Sequence, residues 1–311
     1  MPSRLAREEM RRASLGRPVA VALGKFDGVH LGHQALVRSL QSQARERGLA
    51  SGVVIFHPNP LTVLRPGTRA LYLTSLDERI ELLYQLGLDT VAPVTFTSEL
   101  AQSSAEEFAR SLREDLQMAL LVAGPDLAIG RGREGIPARM QELGNQLGFE
   151  VCILPFESLA GAKIGSGAVR GALAQGDMPE VARLLGRPFS LSGPVVTGAK
   201  RGRSIGFPTA NIGVGADREL PCFGVYATRA HVGERIYASV TNIGLRPTFN
   251  DGPPSVETFI FDFDGDIYGQ EIRIDLVTML RGEEKFENIE ALKAQIASDA
   301  EAARLVLQRE P

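Results

Sequence analysis

The spacing of hydrophobic positions changes along the chain, and the change divides it in two. Upstream of about residue 185, short apolar runs alternate with segments of helical period. Residues 19–23, 53–56, 91–94, 120–123 and 151–154 read as short buried strands. Between the first two, residues 32–47 put Leu36, Val37, Leu40 and Ala44 on one helical face. Ser75 and Ser104 each stand three residues before a glutamate, Glu78 and Glu107, the capping-box spacing of a helix start. A Gly-rich loop and a helix ending near residue 147 follow the fourth strand. Repeated βα units of this kind predict a doubly wound parallel sheet covered by helices on both faces.

Downstream of Pro188 the helical period stops. Short strands are predicted at 195–196, 224–230, 237–242, 256–263 and 272–278, with turn residues between them. Asp264-Gly265-Asp266 lies between two alternating runs and predicts a hairpin joining the last two strands. Strands at this spacing suggest a small β-barrel, closed by a helix over 289–307. The fold class is therefore α/β plus β, with the border near Gly186-Arg187-Pro188 and domains 1–186 and 187–311. A length of 311 residues suits two domains at about 150 residues each.

Composition narrows the class. Lys plus Arg number 34 against 37 Asp plus Glu, a formal charge of −3, so the basic footprint of a nucleic-acid binder is missing. Hydrophobic residues at 44% exclude a disordered chain. Cys152 and Cys222 make neither a disulfide framework nor a zinc site. No apolar run reaches the ~18 residues of a membrane span, and residues 1–17 carry arginines without the apolar core of a secretory signal. A soluble cytoplasmic protein is expected.

Two segments concentrate the candidate chemistry. Residues 24–33 follow the first strand and open the first long helix. Gly24, Gly28 and Gly32 let backbone approach an anion, and a helix N-terminus presents free N–H groups to phosphate. His30 and His33 share a helical face and can donate to charge developing on a phosphoryl group. A zinc reading of the two histidines lacks the glutamate and third ligand it needs. Residues 165–171 imitate a dinucleotide fingerprint, but the third glycine comes one residue late. Arg131 and Arg133 form a small basic loop, either solvated or electrostatic help for a phosphate.

The second segment, residues 193–211, interleaves Gly198, Gly202 and Gly206 with Lys200, Arg201 and Arg203. Such a loop can wrap phosphates, yet it lacks the ending of a Walker motif. Thr209 and Asn211 offer hard oxygens of the kind Mg²⁺ accepts. The acidic run from Asp262 to Asp266 fails as a calcium loop, with Ile267 at the glycine position and Arg273 at the bidentate glutamate position.

The pattern Gly-x-Phe-Asp-Gly-Val-His-x-Gly-His over 24–33 resembles the adenylyltransferase signature of the bifunctional bacterial FAD synthetases, which join riboflavin kinase to FMN adenylyltransferase. The resemblance implies that His30 and His33 bind ATP phosphates and stabilise the transition state as pyrophosphate leaves. It places Gly24, Phe26, Asp27 and Gly32 at the ATP. It continues through Thr74 and Arg79, and through residues 164–170, similar to the family's I-S-S-T-x-I-R, where Ser166 would bind ATP and Arg170 assist catalysis. Residues 56–60 resemble F-x-P-H-P with Asn59 in place of histidine, and residues 124–126 resemble G-x-D; Asn59 and Asp126 are then implied on the flavin side. The chain departs from the family at Leu127-Ala128-Ile129, in place of F-R-F, and at Gly165 and Gly167, in place of hydroxyl residues.

Residues 193–211 resemble the riboflavin kinase signature ending in G-F-P-T-A-N. By this resemblance Lys200 and Gly202 contact ATP, and Thr209 and Asn211 hold Mg²⁺ with ATP. Residues 242–249 resemble N-I-G-x-R-P-T-F, and Val256-Glu257 opens the strand whose glutamate is the family's proposed base. Glu257 would thus take the proton from the riboflavin hydroxyl, with Phe259 standing where many members have histidine. Residues 280–286 are similar to the loop that closes over the flavin, implicating Arg281, Glu284 and Phe286. The implied partners are small molecules (riboflavin, FMN and ATP), with no nucleic acid and no membrane, and a homo-oligomer is left open. Two alternatives stand beside the bifunctional enzyme: a riboflavin kinase with a decayed first domain, and a flavin- or nucleotide-binding regulator without turnover.

Overall fold

The computed structural model describes residues 3–155, 158–159, 162–198, 206–245 and 254–309. Lys200 and Gly202, together with Arg201, Arg203 and residues 246–249, lie outside the described residues. The chain forms two compact units, Met1–Ser166 and Gly167–Pro311.

In the first unit the elements run α1 Arg4–Ala13, β1 Val19–Gly24, α2 Leu31–Glu46, β2 Ala50–His57, α3 Pro60–Leu64, α4 Leu76–Gln85, β3 Thr90–Thr95, α5 Ser98–Ala101, α6 Ala105–Asp115, β4 Met118–Ala123, α7 Pro137–Leu147 and β5 Glu150–Ile153. A two-residue ladder, β6 Ser158–Leu159 with β7 Ala162–Lys163, follows. The sheet order is β3-β2-β1-β4-β5, with every neighbouring pair parallel. Side-chain alternation splits each strand between two cores. Val19 and Val21 face Met10 of α1, Phe108 and Leu112 of α6 and Met140 of α7. Ala20 and Ala22 face Val37 and Leu40 of α2 and Leu83 of α4.

Both expected capping boxes are formed. Ser75 accepts from the Glu78 N–H while Glu78 accepts from the Ser75 N–H, and Ser104 pairs with Glu107 in the same way. Ser75→Ala therefore lowers stability by about 1 kcal/mol, read as a shifted denaturant midpoint. The helix α1 has no counterpart in the sequence reading. It buries Ala6 and Met10, and Arg7 and Arg11 reach the Asp115 carboxylate at 2.6 and 2.8 Å.

In the second unit, α8 Ser166–Gln175, whose first residue closes the first unit, precedes α9 Met178–Leu185. Then come β8 Phe189–Val196, β9 Ala210–Ile212, β10 Gly224–Val232, β11 Arg235–Gly244, β12 Ser255–Ile260, β13 Glu271–Gly282 and α10 Ile289–Arg309. The six strands close into a barrel in the order β10-β11-β12-β9-β8-β13. The compact units divide at Ser166/Gly167, upstream of the change of texture near Gly186. The reason is packing: α9 buries Met178, Val181, Leu184 and Leu185 and packs on β8 and β13.

One expectation is corrected, the hairpin at 264–266. β12 pairs with β11 and β9, while β13 pairs with β10 and β8, so the two strands are not neighbours. The connection crosses to another edge. Phe261 N–H donates to Ala238 O on one side, and Gly269 N–H donates to Val195 O on the other. Asp266 Oδ1 accepts from the Tyr268 N–H at 3.0 Å, so the acidic run supplies a local turn.

The barrel interior is partly polar. Thr228, Ser239, Thr241 and Thr258 are fully buried and bond to one another in a chain at 2.8, 2.8 and 2.9 Å. Mutual satisfaction removes the cost of burying hydroxyls. Their strand neighbours therefore face outward, where α10 covers Val225, Ala227, Val240 and Val277.

Candidate active sites on the two units

The order of the parallel sheet reverses beside β1, which has β2 on one side and β4 on the other. Ligands of such sheets sit at the strand carboxyl ends at that reversal. The turn leaving β1 there is left-handed at Phe26 (φ 50°), Gly28 (φ 80°) and Val29 (φ 41°). It ends at His30, the N-cap of α2, whose Nδ1 accepts from the His33 N–H at 3.4 Å. An Nδ1 used as acceptor leaves the proton of the neutral ring on Nε2, where it can be donated. The His30 and His33 rings stack with centroids 3.7 Å apart. Gly32 is glycine for a spatial reason: a Cβ there would stand 3.0 Å from Ile164 O and 3.2 Å from His30 Nδ1.

His33 Nδ1 is buried without a hydrogen-bond partner among the described residues. Burial, then the neighbouring His30, Arg79 and Lys25, hold the imidazole well below its ordinary range. The unfolded chain protonates this residue below pH ~6.5 while the folded one does not, so its contribution is full above that pH and is lost as pH falls. His33→Gln should thus flatten the fall in stability between pH 7.5 and 5.5, measured as urea midpoints against wild type.

Several predicted residues take scaffold positions. The Phe26 ring is buried and lies 5.1 Å from the His33 ring. Asp27 is turned inward, where Oδ1 accepts from the Leu73 N–H at 2.9 Å. These two side chains build the turn. Gly24 ends β1 beneath the Phe26 ring. Asn59 caps α3, Oδ1 accepting from the Leu61 N–H at 3.2 Å, and its own N–H donates to Tyr72 Oη at 2.7 Å. Asp126 is exposed in the turn after β4, on the other side of the sheet reversal from the histidines. Ser166 opens α8. Arg170 is ion-paired with Glu219 at 2.9 Å.

On the barrel, strand register assembles the second site. Glu257 of β12 lies opposite Asn211 of β9 and opposite Asn242 of β11. Directly opposed residues share a face, so a carboxylate stands between two carboxamides on the outer surface. Asn211 is buried, and a Cβ on Gly198 would overlap its carboxamide. Thr209 stands two residues earlier on the approach to β9. Phe259, on the Glu257 face, meets the Phe207 ring edge-on at 5.5 Å. Asn242, which opens the motif over 242–249, joins this face through its pairing with Glu257.

Arg281, next to last in β13, is held by Asp299 of α10, with Nε at 3.0 Å and Nη2 at 2.8 Å. Its guanidinium lies 5.6 Å from the Phe286 ring centroid. Glu284 is exposed in the same loop.

A histidine turn at a sheet reversal and a barrel with an outward carboxylate define a two-unit nucleotide-using transferase. Family models agree, unit by unit: FAD synthetase matches residues 13–168 and riboflavin kinase matches residues 185–307. The bifunctional riboflavin kinase/FMN adenylyltransferase of Listeria monocytogenes is 38% identical, with 91% of each chain covered. That of Bacillus subtilis is 36% identical, over 97% of this chain and 95% of the relative. The chain belongs to the bifunctional riboflavin kinase/FMN adenylyltransferase family. A crystal structure described as a macrolide-efflux protein from Streptococcus pneumoniae shares the fold, with TM-score 0.87 and 29% identity over 98% of both chains. That description is of the pneumococcal protein. Among the described residues no helix is long and apolar enough to cross a membrane.

Proposed function

We propose that the barrel moves the γ-phosphoryl group of ATP to the ribityl hydroxyl of riboflavin, with Glu257 as base. The parallel-sheet unit then moves the adenylyl group of a second ATP to FMN. In the first step Glu257 accepts the hydroxyl proton, the alkoxide oxygen bonds to the γ-phosphorus, and the bond to the ADP oxygen breaks. In the second, an FMN phosphate oxygen bonds to the α-phosphorus and pyrophosphate leaves. The stacked histidines at the N-terminus of α2, with Gly32 of the same motif and Ser166 at the start of α8, receive the phosphates there. Asp126 and Asn59 are assigned to the flavin of this unit, and Arg281, Glu284 and Phe286 to that of the barrel. Both reactions are assigned to the cytoplasm, where ATP is abundant.

The observation that carries the reading is the row Asn211–Glu257–Asn242. Its oxygen donors, with the Thr209 hydroxyl, suit a hard cation. Mg²⁺ held by Thr209 and Asn211 together with the phosphates would neutralise their charge.

Purified protein is given riboflavin, ATP and Mg²⁺, and separately FMN, ATP and Mg²⁺. FMN in the first and FAD with pyrophosphate in the second are expected. FMN without FAD selects the kinase with a decayed first domain, and neither product selects the regulator.

A further inference from the structure

The arginine at position 79 is among the most deeply buried side chains of the molecule, with relative exposure 0%. A buried guanidinium is costly to keep unless its donors are answered. Here four directed contacts answer it. Nη1 donates to Lys25 O at 2.9 Å and Nη2 to Thr74 O at 3.1 Å. Longer contacts of 3.4 Å run from Nη2 to Asp27 Oδ1 and from Nε to Thr74 Oγ1. Its Cζ lies 5.5 Å from the centre of the Tyr72 ring.

Lys25, Asp27 and Thr74 also hold the turn that leads into the histidines. Lys25 and Asp27 belong to the turn itself. Thr74 Oγ1 accepts from the Gly28 N–H at 3.1 Å, and Asp27 Oδ1 accepts from the Leu73 N–H at 2.9 Å. Tyr72 Oη takes the Asn59 N–H, which ties in the segment after β2. The turn needs such support. Phe26 and Val29 are non-glycine residues with positive φ, and Val29 is β-branched. Backbone of this kind persists only where its surroundings over-determine it.

We propose that Arg79 is a positioning residue for adenylyl transfer: its guanidinium holds the strained turn that sets His30 and His33 at the N-terminus of α2. This rests on the reading of the histidine turn as the adenylyl-transfer site. Arg79 is buried behind the turn, and the planar fork matters more than the charge. Lysine brings a point charge and cannot span Lys25, Asp27 and Thr74 together.

The test uses the full-length protein and follows both reactions. Arg79→Met lowers kcat for FAD formation from FMN about 100-fold, the scale of a small misplacement of reacting groups. Arg79→Lys gives a partial loss of about 10-fold. KM for FMN and ATP stays within about threefold, because the lost contacts are not substrate contacts. FMN formation from riboflavin by the same samples is unchanged. Thr74→Val removes the shared hydroxyl with little change in volume and lowers kcat by about 10-fold, and it decides the matter if Arg79→Met does not fold. A kcat within about twofold of wild type in folded Arg79→Met or in Thr74→Val overturns the proposal. If wild type makes no FAD, or His30→Ala and His33→Ala both leave FAD formation intact, the reading of the site itself fails.

Discussion

Glu257→Gln reduces FMN formation from riboflavin by about 10²- to 10⁴-fold, the usual worth of a positioned general base. Glutamine keeps the size of the side chain in the row Asn211–Glu257–Asn242 but cannot take a proton. The loss should therefore fall on kcat, with KM for riboflavin nearly unchanged. FAD formation from added FMN is carried by the other unit and stays at the wild-type rate. Stopped reactions analysed for FMN, FAD and ADP give both numbers from one preparation. A variant that makes FMN at the wild-type rate removes Glu257 from the role of base. Among the other residues of this face, Asn211→Ala should mainly weaken the response to Mg²⁺ and ATP, since its carboxamide is assigned to them.

The second large effect is at the histidines. His30→Ala and His33→Ala each lower FAD formation by about 10²- to 10³-fold, as when a preorganised donor to transition-state charge is removed. The two rings stack at 3.7 Å, and His30 also caps α2 through the His33 N–H. Removing His30 thus disturbs both a donor and the helix start, and it should be the more damaging of the two. The double variant should lose less than the product of the single losses, because the rings act as one unit. Riboflavin phosphorylation serves as the internal control and should not change. FAD formation at the wild-type rate in both single variants would remove the histidines from the reaction.

Much of this molecule can be read from local pattern. The five parallel strands, the α2 face with Val37, Leu40 and Ala44, and both capping boxes lie where apolar spacing and cap residues put them. The histidine turn and residues 193–211 read as candidate phosphate chemistry because they are contiguous motifs. Helix α1 was not legible. Among its ten residues only Ala6 and Met10 are buried, and arginines dominate. Its place is set by a carboxylate more than a hundred residues away, Asp115, and by Glu9, which accepts from the N–H and hydroxyl of Thr95. The three residues of β9 are too short to show a period, and their pairing with β12 brings Asn211 to Glu257.

The sequence by itself determined what depends on residues a few positions apart: strand and helix identity, helix caps, and the glycine-histidine turn that suits an anion. Hydrophobic period and capping act over one or two turns of chain, so they leave a mark in the order of residues. Tertiary structure alone decided which strands meet, and so that 264–266 belongs to a crossing segment and not a hairpin. It decided that the hydroxyls of Thr228, Ser239, Thr241 and Thr258 face inward and satisfy one another. It also decided that the side chains of Phe26 and Asp27 turn inward and that Arg79 is buried against Lys25, Asp27 and Thr74. Register and burial are settled between segments distant in sequence, where a shift of one residue exchanges the inner and outer faces of a strand.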